Sequence, residues 1–185
     1  MSDFILDKYR PLQEWFAHKP HGVHGIAHAA RVLVWANAIA NKLLNVGEML
    51  DLEAVRWTSV LHDVGRITDS IDPGHGQRAA DWIARNRKDI LPGLGNGTLD
   101  KIVYCCKWHD TTDIEIPELT VELKCIKDAD GLDRVRISDL NSSFLRTQYA
   151  RDLVDAAYAL FRNRLHVEEP WKEVRVAAIN MNLWQ

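Results

Sequence analysis

Leu61-His62-Asp63-Val64-Gly65-Arg66 sets a histidine beside an aspartate where a helical pattern runs out. In the segment from about Asp51 to Val64, Leu52, Val55, Ser59 and His62 recur at spacings of three, four and three. That spacing is one face of an α-helix, so His62 falls on the inward stripe rather than the wet side. The dipeptide alone carries little weight, because His109-Asp110 repeats it. Its company decides its meaning.

The same helical spacing extends in both directions. A helical lead-in is expected over residues 3 to 18, with Pro11 in a first turn. A long helix is expected from about Gly25 to Leu44, where Ala29, Val32, Leu33, Ala36, Ala40, Leu43 and Leu44 recur every three or four positions. After a loop with Pro73-Gly74, a helix runs from about Gly76 to Arg87. The stretch Pro92-Gly93-Leu94-Gly95-Asn96-Gly97 reads as the clearest loop in the chain. Thr98 then has the chemistry of an N-cap for a helix to about Trp108, with Leu99, Ile102, Cys106 and His109 on one stripe. Beyond Pro117, Leu119, Leu123, Ile126 and Asp130 share a face. Two more helices follow, marked by Tyr149, Leu153, Ala156, Ala157 and Leu160, and by Trp171, Val174, Ala178 and Met181 after Pro170. The one period-2 alternation, Asp113 to Ile116, is cut short by Pro117. The expected fold is all-α, a single domain of about seven to nine helices, with a core at about 20–145 and a helical tail at about 146–185.

Bulk properties narrow the function. The chain has 185 residues, 46% hydrophobic and 26% charged, as an ordinary globular domain has. A net charge of −3 and a pI near 6.2 supply no basic footprint for nucleic acid. Early acids Asp3 and Asp7 argue against a signal peptide, and no apolar run is long enough to span a membrane. Cys105, Cys106 and Cys125 are three in number and lack framework spacing, so they are expected to be packing residues in a reducing compartment. A soluble cytoplasmic protein is expected, acting on small molecules as a monomer or as a homodimer through a face with Trp171 and Trp184.

Three helices thus place a titratable residue in line with their apolar positions: His62, His109 and Asp130. An ionised carboxylate is not buried without a partner, and three such residues beside Asp63 ask for a shared cation. Imidazole nitrogen together with carboxylate oxygen suits a divalent first-row metal. His28 joins the set from the start of the long helix, with His24 one turn before it on the same side.

The order His28, His62-Asp63, Asp130 resembles that of the HD superfamily of metal-dependent phosphohydrolases. So do the local contexts His28-x-x-Arg31-Val32, Leu61 to Arg66, and Lys127-Asp128-Ala129-Asp130-Gly131-Leu132-Asp133. The resemblance covers about residues 20 to 145. It implies a metal held by His28, His62, Asp63 and Asp130, with His75 and His109 as the additional ligands of two-metal members and Asp63 as the bridge. One or two ions are expected, with Mn, Fe, Co, Ni and Zn all admitted by the ligand chemistry. It also implies hydrolysis of a small phosphorylated substrate, such as a phosphate ester or nucleotide, by metal-activated water. Cations near the ligands are candidates for contacting the phosphoryl group: Arg66 first, then Arg31, Lys107 and Arg134. His24 is a candidate general acid or substrate contact, and Asp69 and Asp72 could anchor ligand histidines. The chain departs from the guanosine tetraphosphate hydrolases, having Arg66-Ile67 where they have Glu-Asp. It lacks the Gly-Tyr-Pro element and His-His pair of the cyclic-di-GMP hydrolases. Two other functions fit the same ligand order: a two-iron oxygenase, and a non-catalytic ligand-binding module.

Overall fold

The computed structural model describes residues 5–162 and 169–183. Among them are eight α-helices and no strand: α1 (Ile26–Asn45), α2 (Leu52–Leu61), α3 (His75–Ile90), α4 (Asn96–Trp108), α5 (Val121–Asp133), α6 (Gln148–Arg151), α7 (Val154–Arg162) and α8 (Pro170–Asn180). None is long and apolar enough to cross a membrane.

The centre of the fold is α1. Every residue from His28 to Asn37 is buried, so this helix has no wet face over nearly three turns. Its alanines and valines allow that, since small side chains let neighbours approach on all sides. It packs against α2, α5 and α8, while α3 lies against α4. The contact residues include Leu33, Trp35, Ile39, Leu61, Ile126 and Leu132, each almost wholly removed from water. Burial of one such side chain stabilises by about 1.5–3 kcal/mol, so this shell can carry a polar centre.

Three helix starts are tied together by side chains. Asp51 caps α2 by accepting from the Ala54 N–H at 3.0 Å, and its other oxygen accepts from Thr98 Oγ1 at 2.7 Å. The Asp51 N–H donates to Glu122 Oε1 near the start of α5, which also accepts from Lys101 Nζ of α4 at 2.6 Å. Thr98 is therefore a tether inside the first turn of α4 and not its cap, which is Gly95. The lead-in also differs from expectation. It holds two short 3₁₀ turns, Ile5–Tyr9 and Gln13–Trp15, with Pro11 between them. The Asp113–Glu115 segment is likewise a single 3₁₀ turn.

Two glycines set the approach of α3. A Cβ on Gly65 would stand 2.4 Å from the Ala79 nitrogen and 2.7 Å from the His75 carbonyl oxygen. One on Gly76 would stand 2.6 Å from the Cys106 carbonyl oxygen. Backbone occupies the space at both positions. The three cysteines are free and buried, and burial pushes the Cys105 thiol up to about 12. Trp171 is buried in α8, and Trp184 lies outside the described residues.

Gly65→Ala is therefore expected to lower the thermal midpoint, by an overpacking cost of about 1–3 kcal/mol. The Glu122 network makes a pH prediction. Burial pushes its carboxyl up, but hydrogen bonds from Lys101 and the Asp51 N–H outweigh that, and the net shift is below the ordinary 4.5. A depressed carboxyl adds stability that is present at neutral pH and lost as pH falls through the folded-state value. The urea midpoints of wild type and Glu122→Gln should thus differ at neutral pH and converge in the acid range below 4.5.

Candidate metal centre

Five helices deliver side chains to one point. His28 sits in the first turn of α1, and His75 is the first residue of α3. His62 and His109 cap the C-termini of α2 and α4, and Asp130 lies in the last turn of α5. Asp63 follows His62 in the turn that leaves α2.

The helix ends also determine how the rings face. The last carbonyls of a helix have no intrahelical partner. The Ser59 carbonyl accepts from His62 Nδ1 at 2.9 Å, and the Cys106 carbonyl from His109 Nδ1 at 2.7 Å. His75 Nδ1 donates to the Asp72 carbonyl at 2.8 Å. His28 Nδ1 meets the buried Asp133 carboxylate at 2.7 Å. A carbonyl or carboxylate oxygen only accepts, so each Nδ1 carries a hydrogen, and with the ring neutral the Nε2 lone pair turns inward.

Those lone pairs face one another. His28 Nε2 and His62 Nε2 are 3.1 Å apart, and His75 Nε2 and His109 Nε2 are 2.9 Å apart. Two acceptors at that range repel unless a cation lies between them. Asp63 stands between the two pairs. Its Oδ2 is 3.4 Å from His28 Nε2 and 3.8 Å from His62 Nε2, while its Oδ1 is 3.1 Å from His75 Nε2 and 3.6 Å from His109 Nε2. Asp130 Oδ1 is 3.4 Å from His28 Nε2. Asp63 Oδ1 is buried and accepts no well-aligned hydrogen bond, although Arg66 Nε is 3.1 Å away. This donor set fits metal ions. Imidazole nitrogen together with carboxylate oxygen is the donor chemistry of divalent first-row metals. One ion would take His28, His62 and Asp130, a second His75 and His109, with one oxygen of Asp63 for each.

The electrostatics agree. Burial drives the His62 imidazole down to about 3, which keeps it neutral. Burial pushes Asp63 up, but the surrounding imidazoles, His62 first, hold it well below the usual carboxylate range. His109 is also depressed by burial, yet the Asp63 carboxylate outweighs this and raises it. The cluster attracts positive charge while its carboxylates stay ionised.

Around this centre the predicted cations take different places. Arg66 lies against Asp63, with Nη1 donating to the Ser70 carbonyl at 3.3 Å. Arg31 is buried, and its Nε donates to Asp133 Oδ1 at 2.6 Å, the carboxylate that also meets the His28 ring. Lys107 rests its ammonium over the Trp108 ring at 4.8 Å, on a surface it shares with Asp110. Arg134 is paired with Asp139 and lines a cavity of about 250 Å³ that reaches His109 and Asp130. His24 Nδ1 is 2.9 Å from Asp63 Oδ2. Asp69 meets His18 and Lys19. Asp72 anchors His75 through its main-chain carbonyl, while its carboxylate accepts from the Ile67 N–H and Arg78.

Several residues of the site were not singled out from the sequence. Asp133 bridges His28 and Arg31, and its signal was available, since it follows Asp130 by one turn and both face inward. Arg136 donates to the Asp133 carbonyl at 3.1 Å, to the Val23 carbonyl at 3.1 Å, and lies 3.1 Å from His24 Nδ1. Asp110, in the turn after α4, approaches His75 Nδ1 at 3.2 Å. Lys127 and Arg146 line the cavity.

The chain matches the HD domain family over residues 25–135. No curated protein and no solved structure matches it.

The centre makes a binding prediction that needs no substrate. Protein reconstituted with a divalent transition metal should hold about two equivalents per chain by elemental analysis, matching the two histidine pairs. His62→Ala and Asp63→Ala should each reduce that count. Asp133→Asn keeps the shape but weakens the hold on His28, and metal affinity by competitive chelation should fall about 10- to 100-fold.

Proposed function

This chain belongs to the HD domain family, a superfamily that includes metal-dependent phosphohydrolases, and we propose that it cleaves a phosphate ester or nucleotide with water. The observation that carries this reading is the junction of the two histidine pairs and their carboxylates with a cavity lined by Lys127, Arg134 and Arg146. A centre that attracts metal cations opens onto a space suited to an anion.

When bound by His28, His62, Asp63, Asp130, His75 and His109, a divalent metal supplies Lewis acidity, lowering the pKa of water and offsetting phosphoryl charge. The reaction is a substitution at phosphorus. A water oxygen bonds to phosphorus, the ester P–O bond breaks, and one water proton ends on the departing oxygen. No electron is gained or lost.

The chain's own groups divide the remaining work. Asp63, ionised and buried, orders both histidine pairs through its two oxygens. Arg66 keeps a guanidinium beside that carboxylate, where it can meet the charge that grows on phosphoryl oxygens in the transition state. His24 is half-buried in the turn before α1. Its Nδ1 is engaged by Asp63 Oδ2 and Arg136 Nη2, which leaves Nε2 to carry the proton between water and the leaving oxygen.

Metal-loaded protein should therefore release inorganic phosphate from some member of a phosphate-ester and nucleotide panel, equally well without oxygen. Oxygen uptake with no phosphate release would point instead to the two-iron oxygenase. His24→Gln should lower kcat by about a hundredfold or more while leaving metal content intact.

A further inference from the structure

The cavity beside Asp130 is built around cations that the chain's own carboxylates occupy. Lys127 is buried, and its ammonium donates to the carbonyls of His109, at 3.2 Å, and Thr111. Its remaining contact is Asp113 Oδ1 at 3.3 Å. Arg146 grips the same carboxylate with both arms, Nε to Asp113 Oδ2 at 2.9 Å and Nη2 to Oδ1 at 2.7 Å. Asp113 rides on the short 3₁₀ turn between α4 and α5, and its side chain is 39% exposed, against 5% for Lys127. Arg134 on the other wall is held by Asp139, whose side chain is 62% exposed. Two backbone carbonyls and a buried stem thus preset the lysine, whereas its acidic partner stands at the surface, open to exchange with a dissolved anion.

We propose that Lys127, Arg134 and Arg146 form a second anion subsite, so that the preferred substrate is a small phosphate ester bearing another anionic group, either phosphate or carboxylate. Asp113 fills the subsite in the free protein, and the substrate's second anion displaces it. The bidentate geometry of Arg146 on a carboxylate is the geometry it would use on the ligand. His109 and Asp130 line the same cavity, so one molecule can reach both the metal ligands and the cations. A volume of about 250 Å³ lies just below the usual ligand-pocket range of about 300–1,000 Å³ and favours a short carbon skeleton. The carboxylate on Arg146 explains why this subsite did not stand out in the sequence: Lys127 and Arg146 are nineteen positions apart, and only the packing of the α5–α6 connection brings them together.

This inference rests on the phosphohydrolase reading for its activity arm but not for its binding arm. The probes are two matched pairs: glycerol 3-phosphate with 3-phosphoglycerate, and fructose 6-phosphate with fructose 1,6-bisphosphate. Metal-loaded, full-length wild type should favour the member with the second anion by about tenfold or more in kcat/KM, as one or two charge-assisted hydrogen bonds allow. Arg146→Gln should collapse that ratio towards one. Asp113→Asn, an exposed change that removes the competing carboxylate, should raise it. A wild-type ratio near one, with phosphate released, would overturn the subsite and leave the phosphohydrolase reading standing. If no ester releases phosphate, that reading fails, and calorimetric dissociation constants for the same pairs decide the subsite by the same ratios. If Arg146→Gln does not fold by circular dichroism, Asp113→Asn decides: a raised ratio supports the subsite and an unchanged one overturns it.

Discussion

A carboxylate ion cannot sit among apolar helices unless positive charge or hydrogen-bond donors surround it. Asp63 is 6% exposed; His24 Nδ1 meets one of its oxygens, and the four imidazoles of His28, His62, His75 and His109 crowd both with Nε2. The Nδ1 hydrogens of those four are spent on Ser59, Asp72, Cys106 and Asp133, so with the rings neutral they turn Nε2 lone pairs to the centre. The resulting demand for a cation is the constraint to which the rest of the domain answers. Two helix C-termini supply the carbonyls, two helix N-termini bring His28 and His75, and α5 brings Asp130 and Asp133.

Such a centre costs stability, and the surrounding shell offsets it. The apolar burial around α1 and the close approach of α3 at Gly65 and Gly76 hold the rings at fixed separations. The Asp51, Glu122, Lys101 and Thr98 network registers α2, α4 and α5 against one another away from the histidine cluster. Rigid placement matters here, since the separation of two nitrogens decides whether one ion can bind both.

Legibility differed by residue. The stripes that place Val55, Ser59 and His62, or Leu99, Ile102, Cys106 and His109, on inward faces could be counted along the chain, and all of these residues are buried. The lead-in could not be read that way. Its residues Ile5, Tyr9, Leu12 and Trp15 keep a helical spacing, yet two 3₁₀ turns form with Pro11, which has no N–H to donate, between them. Thr98 had the chemistry of a cap, but its hydroxyl bonds to Asp51, forty-seven residues away. Arg31 was near a ligand in sequence and behind it in space. Charge and proximity could nominate it, but which side of His28 it occupies depends on Asp133 across the helix interface. Lys127 and Arg146 stood out in neither way, because their shared partner Asp113 belongs to a different segment.

The sequence by itself determined the helical class, the inward position of His62, His109 and Asp130, and the family order of histidines and aspartates. Each follows from periodicity within one helix or from residue identity, which are local. Only the tertiary structure decided that Asp63 lies between two histidine pairs, that Asp133 and Arg136 stand behind the first of them, and that three cations share a cavity with Asp130. Those facts are distances between helices, and they are set by how side-chain volumes and close glycine contacts let the helices pack.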